Sequence, residues 1–328
     1  MHHTRRHVLA LATLVLLSSS GAGLAQPADD YPTKPIKLIL PAAAGGPTDV
    51  PARLASQILQ PKLGQPVIIE NRPGAGGALG ARVVATAAPD GYTLLVGNTS
   101  VLAVIPAVSA SAGYDPVKNF VPIVRMTESF QILVVHADSP WKTLKEFVDH
   151  CKANPGKLNY AMTGAGGLPH LVGELFMLRS GCKMSPVPYR SGGESVTALL
   201  SKAVDTTIEG IAITRSLIQD GKLRALGGQN RVRTPLLPDM PTMAEAGVPN
   251  AEANTFYGLV APAGTPPSII KKLNEAMNQG LATADMQKTV NNLGSEAKPN
   301  SPEEFAAFIA TQNKIWIDVG KAAGVKID

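Results

Sequence analysis

Two glycine-rich stretches hold the residues best suited to chemistry. The first, Pro41-Ala42-Ala43-Ala44-Gly45-Gly46-Pro47-Thr48-Asp49, follows the apolar run Ile36–Leu40 and opens a helical period. The second, Thr163-Gly164-Ala165-Gly166-Gly167-Leu168-Pro169-His170, repeats the arrangement in the middle of the chain. A helix start presents backbone N–H groups without intrahelical partners and the positive end of the helix dipole. Glycine lets a ligand approach that backbone closely. The combination binds anions. Neither stretch contains the lysine of a phosphate loop, so neutral donors holding an anion fit a carboxylate better than a nucleotide phosphate. Thr48 or Asp49 is the expected N-cap of the first helix, and Pro51 suits its first turn, where no N–H is required. Glycine-rich strand-to-helix turns are also often tight turns and nothing more, and either stretch alone is compatible with that.

Other chemistry is sparse. The cluster Gly74-Ala75-Gly76-Gly77-Ala78-Leu79-Gly80 imitates a dinucleotide fingerprint, but the third glycine would fall at Leu79, so it reads as a structural turn. Outside the first 25 residues the histidines are His136, His150 and His170, and neither H-E-x-x-H nor G-x-S-x-G occurs. His170 follows the second glycine stretch and either donates to a ligand or caps the turn. An enzyme on this chain would have to draw its nucleophile or base from Ser100, His170 and Glu209. Cys151 and Cys182 are the two cysteines; an oxidising compartment permits a disulfide, but the sequence does not place them within bridging distance. No ligand spacing for a metal and no cofactor motif is present. Aromatic residues make up 5% of the chain, too few for a sugar-stacking platform.

Positioning these stretches requires strands that alternate with amphipathic helices. Strands are expected at 36–40, 67–69, 93–96, 132–135, 158–161, 204–208 and 257–260. Helices are expected at 49–63 with Val50, Leu54 and Ile58 on one face, at 141–153 behind the capping box Thr143-Leu144-Lys145-Glu146, and at 169–180. A further helix at 268–281 turns Ile270, Leu273 and Met277 inward. The last helix starts at Ser301-Pro302-Glu303-Glu304 and has the inward stripe Phe305, Phe308, Ile309, Gln312 and Trp316. The alternation argues for an α/β fold with mainly parallel sheets, in which ligands bind outside the carboxyl ends of the strands. No low-complexity linker marks a sequential domain boundary, so the chain is expected to cross between lobes more than once.

The chain has 328 residues, 45% hydrophobic and 17% charged, enough to bury a core in two domains and without a disorder signature. Residues 1–25 read as a cleaved export signal: Arg5 and Arg6 precede an apolar run at 8–17 too short to span a bilayer, and Gly23-Leu24-Ala25 supplies small residues at the cleavage site. Thr4-Arg5-Arg6 also resembles a twin-arginine signal, so both export routes stay open. Loss of this segment removes those two arginines and no acid, leaving the formal charge two below +5. That mild charge, without basic blocks, excludes nucleic acid as a partner.

Along nearly all of the mature chain, ordered motifs resemble the extracytoplasmic receptors of tripartite tricarboxylate transporters, the Bug receptors. They are Tyr31-Pro32-Thr33-Lys34-Pro35-Ile36, the Gly45-Gly46-x-Thr48-Asp49 loop, Glu70-Asn71-Arg72-Pro73-Gly74, Ala88-Pro89-Asp90-Gly91-Tyr92, Tyr114-Asp115-Pro116, Asn154-Pro155-Gly156-Lys157, Val187-Pro188-Tyr189-Arg190, Leu237-Pro238-Asp239-Met240-Pro241 and Ala261-Pro262-Ala263-Gly264-Thr265-Pro266. The resemblance implies a two-lobed periplasmic-binding-protein (Venus-flytrap) fold, with residues 26–130 and 255–328 in one lobe and 131–254 in the other. It implies a monomeric, non-enzymatic receptor that closes on a small carboxylate and hands it to the membrane components of such a transporter. A ligand-sensing role toward a sensor kinase, or a periplasmic enzyme on the same fold, are the alternatives. The site it implies is Ala43, Ala44, Gly45, Gly46, Thr48 and Asp49 from the first loop, Asn98 and Ser100 after a strand, Thr163, Gly164, Ala165, Gly166 and His170 from the second loop, and Glu209. Because a carboxylate repels an anion, Asp49 is expected to offer its N–H while its side chain caps the helix. Ala42-Ala43-Ala44, Pro47, Leu168-Pro169 and Phe256 depart from the family pattern and favour a bulkier or aromatic acid.

Overall fold

The computed structural model describes residues 30–43, 48–109, 111–163 and 168–324. The expected export signal and the loop residues Ala44, Gly45, Gly46, Gly164, Ala165 and Gly166 lie outside the described residues. Strands and helices run in the order β1 (Ile36–Leu40), α1 (Asp49–Leu63), β2 (Val67–Asn71), α2 (Ala78–Ala85), β3 (Thr93–Asn98), α3 (Ile105–Val108), β4 (Phe120–His136), α4 (Leu144–Ala153) and β5 (Asn159–Thr163). There follow α5 (Leu168–Ser180), β6 (Ser185–Tyr189), α6 (Gly192–Leu200), β7 (Thr206–Gly210), α7 (Ile211–Gln219), β8 (Leu223–Gly228), β9 (Asn254–Pro262), α8 (Pro267–Leu281), α9 (Ala284–Asn292) and α10 (Pro302–Ala323).

The strands order as β2-β1-β3-β9-β4-β7-β5-β6, with β8 also on β4. Two parallel wings, β2-β1-β3 and β7-β5-β6, flank an antiparallel centre. The centre is antiparallel because β4 and β9 run through the junction between the wings in opposite directions. The expected strand at 132–135 is the second half of β4, a strand of 17 residues. Its polar middle, Thr127-Glu128-Ser129, breaks the apolar run at the crossover, and two register shifts against β9 spoil the two-residue period. Strand β6 is not among the expected strands; it carries Pro186 and Pro188 and lies at the sheet edge, where a missing N–H is tolerated.

Each wing has its own apolar layers. Leu38, Leu94 and Val96 pack with Leu54, Ile58, Leu273 and Met277 from α1 and α8. Leu133, Tyr160 and Ile208 pack with Phe147 of α4 and Leu171, Leu175 and Phe176 of α5. Of the face expected on α1, Leu54 and Ile58 are buried, but Val50 is exposed: it falls on the outward side with Arg53 and Gln57, while Asp49, Pro51 and Ala52 of the same turn are buried. Helix α10 begins with the expected capping box, Ser301 Oγ accepting from Glu304 N and Glu304 accepting from Ser301 N. At 22 residues it is about 33 Å long and serves both wings. Phe305 and Ile309 pack near Phe256 and Val260, whereas Trp316 and Val319 join Leu171 and Leu175. Of its expected stripe only Phe308 stays half-buried. Helix α4 starts at Leu144, three residues later than the sequence period suggests, with Thr143 as N-cap. The Glu146 carboxylate accepts from Lys142 N at 2.6 Å, one residue before the cap, so the box is skewed.

Candidate functional site

The strand directions decide where the strand ends that lead into the two glycine loops stand. Strand β3 is antiparallel to β9, β9 to β4, and β4 to β7. Strands β1 and β3 therefore run with β4 toward the second wing, while β5 and β7 run against it toward the first. Both sets of carboxyl ends meet at the junction. Asn98, the last residue of β3, pairs with Tyr257, which pairs with Thr127 of β4. Gly210, the last residue of β7, pairs with Gln131. From Thr127 to Gln131 is four residues of β4, so the opposed ends stand roughly 13 Å apart. The floor between them is polar: Gln131 Nε2 donates to Thr255 Oγ1 at 3.1 Å.

On the first side, the loop base is held from behind. Asn71 Nδ2 donates to the Ala42 carbonyl at 2.9 Å. The third glycine cluster is the structural turn expected of it, and its glycines admit Pro41: a Cβ at Gly80 would stand 2.9 Å from Pro41 Cα and from the Arg72 carbonyl oxygen. Thr48, 3% exposed, precedes α1, and its hydroxyl joins Asn98 Nδ2 at 3.4 Å. Tyr257 hydrogen-bonds the same threonine; burial holds its phenol above the ordinary range, against the smaller opposing effect of that bond. Asn98 Oδ1 accepts from Val101 N at 3.0 Å, which fixes the start of a π-helical turn at Ser100–Val104. Such turns recur at functional sites. Thr99 is structural, its Oγ1 accepting from Phe256 N at 2.8 Å and donating to the Asn254 carbonyl at 3.1 Å.

Asp49 corrects an expectation. Neither it nor Thr48 caps α1 through a side chain; the Asp49 carboxylate instead accepts from Arg53 Nε at 2.6 Å. The pairing turns a carboxylate that would oppose an anion into a neutral couple one turn into the helix. Since Ala52 N reaches the Thr48 carbonyl at 3.4 Å and Pro51 has no N–H, the amides that α1 can offer a ligand are those of its first two residues, Asp49 and Val50.

On the second side, Thr163 ends β5 and Leu168 starts α5, whose first turn can offer the amides of Leu168 and His170. His170 lies inside that turn, with Nε2 3.4 Å from Glu174 Oε1 on the same helix. Glu209, 7% exposed, packs against the start of α6: a Cβ at Gly192 would stand 2.7 Å from Glu209 Oε2 and from Ile213 Cδ1. The lobes also touch beside the junction, where a Cβ at Gly294 would stand 2.9 Å from Ala212 Cα at the start of α7.

The structure thus gathers Thr48, Asn98 and Ser100 at one set of strand ends and Thr163, His170 and Glu209 at the other. Sequence reasoning missed Tyr257, Arg53 and Gly192. Only Arg53 left a signal, its four-residue spacing from Asp49. Phe256, read as a pocket departure, is fully buried and meets Phe305 and Phe308 edge-on at centroid distances of 6.0 and 5.0 Å, so it belongs to the core. Among the described residues no group of three or more His, Cys, Asp or Glu side chains is placed to hold a metal ion, and no helix is long and apolar enough to cross a membrane.

Two α/β wings that share crossover strands and aim their strand ends at one gap define a two-lobed solute-binding protein. The comparisons with known proteins narrow that class. Residues 51–325 match the tripartite tricarboxylate transporter family receptor, and the chain belongs to that family. It is 36% identical to Protein BugT of Bordetella pertussis over 309 residues, 93% of this chain and 95% of that protein. Among solved structures it is similar to R. palustris Rpa4515 with adipate, at 30% identity and TM-score 0.73, covering 90% of this chain and 99% of the other. It is also similar to MatC from Rhodopseudomonas palustris with bound malate, at 34% identity and TM-score 0.70, covering 88% and 99%.

Proposed function

We propose that this receptor is exported to the periplasm, captures a small dicarboxylate between its strand ends, and delivers it as a monomer to a tripartite tricarboxylate transporter. The observation that carries the reading is that the strand ends leading to the two helix starts oppose each other, with β3 and β7 ending roughly 13 Å apart along β4. One lobe, residues 26–130 and 255–328, would hold the ligand with Ala43, Ala44, Gly45, Gly46, Thr48, Asp49, Asn98 and Ser100. The other, 131–254, would use Thr163, Gly164, Ala165, Gly166, His170 and Glu209. Two oriented anion corners match a ligand with a carboxylate at each end, and the adipate and malate bound by two relatives are of that class. In sequence the alanines of the first loop and Leu168-Pro169 of the second are small or apolar, and a lining built from them would favour a bulky or aromatic dicarboxylate over a short hydroxy acid. The protein binds and releases its ligand without converting it.

A thermal-shift screen of linear, hydroxylated and aromatic dicarboxylates tests the reading, followed by calorimetry. A ligand at a thousand times its Kd adds about 4 kcal/mol, a rise on the order of 5 °C for a chain of this size. One-to-one binding with the acid recovered unchanged is expected. If no carboxylate moves the melting temperature, the reading fails.

A further inference from the structure

The two cysteines play no part in the site, and the sequence leaves their pairing open. The fold brings them together. Cys151 lies in the last turn of α4 and Cys182 two residues beyond α5, and they are 0% and 3% exposed in one apolar layer. Cys151 Sγ stands 3.7 Å from the carbonyl of Lys183, the residue after Cys182. Cys182 Sγ stands 4.0 Å from the carbonyl of Val148, one turn before Cys151. The two thiols are close enough that each is the first cause of the other's shift, Cys151 pushed down and Cys182 pushed up. The backbone at Cys182 is set: Gly181 has φ 73°, Ser180 Oγ donates to the Phe176 carbonyl at 2.7 Å, and Cys182 N donates to Ser180 Oγ at 3.2 Å.

From these contacts we infer that Cys151 and Cys182 are the site of an intramolecular disulfide, formed when the chain folds under oxidising conditions. Two Sγ–H bonds break and one Sγ–Sγ bond forms; two protons leave, and two electrons reduce an exchangeable disulfide, such as glutathione disulfide or an oxidoreductase, to its dithiol. Because both thiols are buried, the exchange precedes closure of the core. The ring runs from residue 151 to residue 182 and so encloses β5, the second glycine loop and α5 as one unit. Closing it removes unfolded-chain freedom from the segment that carries one of the two anion corners, and ties α4 to the far end of the helix whose start is that corner.

The test unfolds and reduces the full chain, refolds it in a glutathione redox buffer, then unfolds it again in denaturant without reductant in the presence of an alkylating reagent, so that buried free thiols also react, and counts the blocked cysteines by mass. No alkylated cysteine, a mass lower by two hydrogen atoms, and a single monomer band on non-reducing electrophoresis are expected. Reduction should then lower the melting temperature by about 5 °C, and Cys151→Ser/Cys182→Ser should melt where the reduced protein does and ignore reductant. Two alkylated cysteines after refolding to the native fluorescence spectrum, or disulfide-linked dimers, overturn the inference. The thiol count needs no variant, so it decides the matter even if the double substitution fails to fold.

Discussion

Asn98→Asp separates anion binding from folding at the first corner. The native Asn98 Oδ1 accepts from Val101 N at 3.0 Å, and an aspartate oxygen keeps that bond. What changes is charge. Asn98 is half-buried, so the new carboxylate stays ionised with a backbone donor beside it. A ligand that spans the roughly 13 Å gap centres about 6.5 Å from position 98, so its nearer carboxylate lies no farther away than that and the repulsion worked at this distance is a minimum. At an effective dielectric of about 20 the repulsion is about 2.5 kcal/mol, which weakens binding on the order of 70-fold. Calorimetry with the best dicarboxylate from the thermal screen measures this, and the penalty should shrink as salt is raised. The lost donor to Thr48 is a long contact of 3.4 Å and contributes little, so the unliganded melting temperature should hardly move. An Asn98→Asp protein that binds its acid as tightly as the parent would refute the location of the anion at these strand ends.

Three further outcomes follow from the same geometry. Arg53→Ala leaves the Asp49 carboxylate without its partner at 2.6 Å, so ligand affinity should fall several-fold in a salt-dependent manner while stability changes little, as read by calorimetry and thermal melting. Gly80→Ala drives a methyl group against Pro41 and the Arg72 carbonyl; about 1–3 kcal/mol of stability should be lost in urea titrations, together with affinity, because the base of the first loop shifts. Trp316→Ala empties a fully buried site on α10 and should cost about 3–5 kcal/mol in the same titration; a loss under about 1 kcal/mol would mean that α10 does not hold the second wing.

Much of this protein is legible in its sequence because the signals are local. Ile36–Leu40 and Asp49–Leu63 fall where the apolar periods place them, since a strand and a helix each bury one repeating face. The capping box at Ser301 is read from four adjacent residues and recurs unchanged in the structure. The proposed anion corners rest on a local signal of the same kind, because helix starts lack internal partners wherever they occur. Long-range pairing is invisible at that level. The directions of β4 and β9, which turn both sets of strand ends toward one gap, depend on partners more than a hundred residues apart. The removal of Phe256 to the core, the capture of Asp49 by Arg53, the Tyr257 contact with Thr48 and the meeting of Cys151 with Cys182 depend on packing as well. The sequence by itself determined which segments present donors and which bury apolar faces, since those properties belong to neighbours in the chain. Only the tertiary structure decided that two such segments face each other, because strand direction is set by pairing between residues the chain holds far apart.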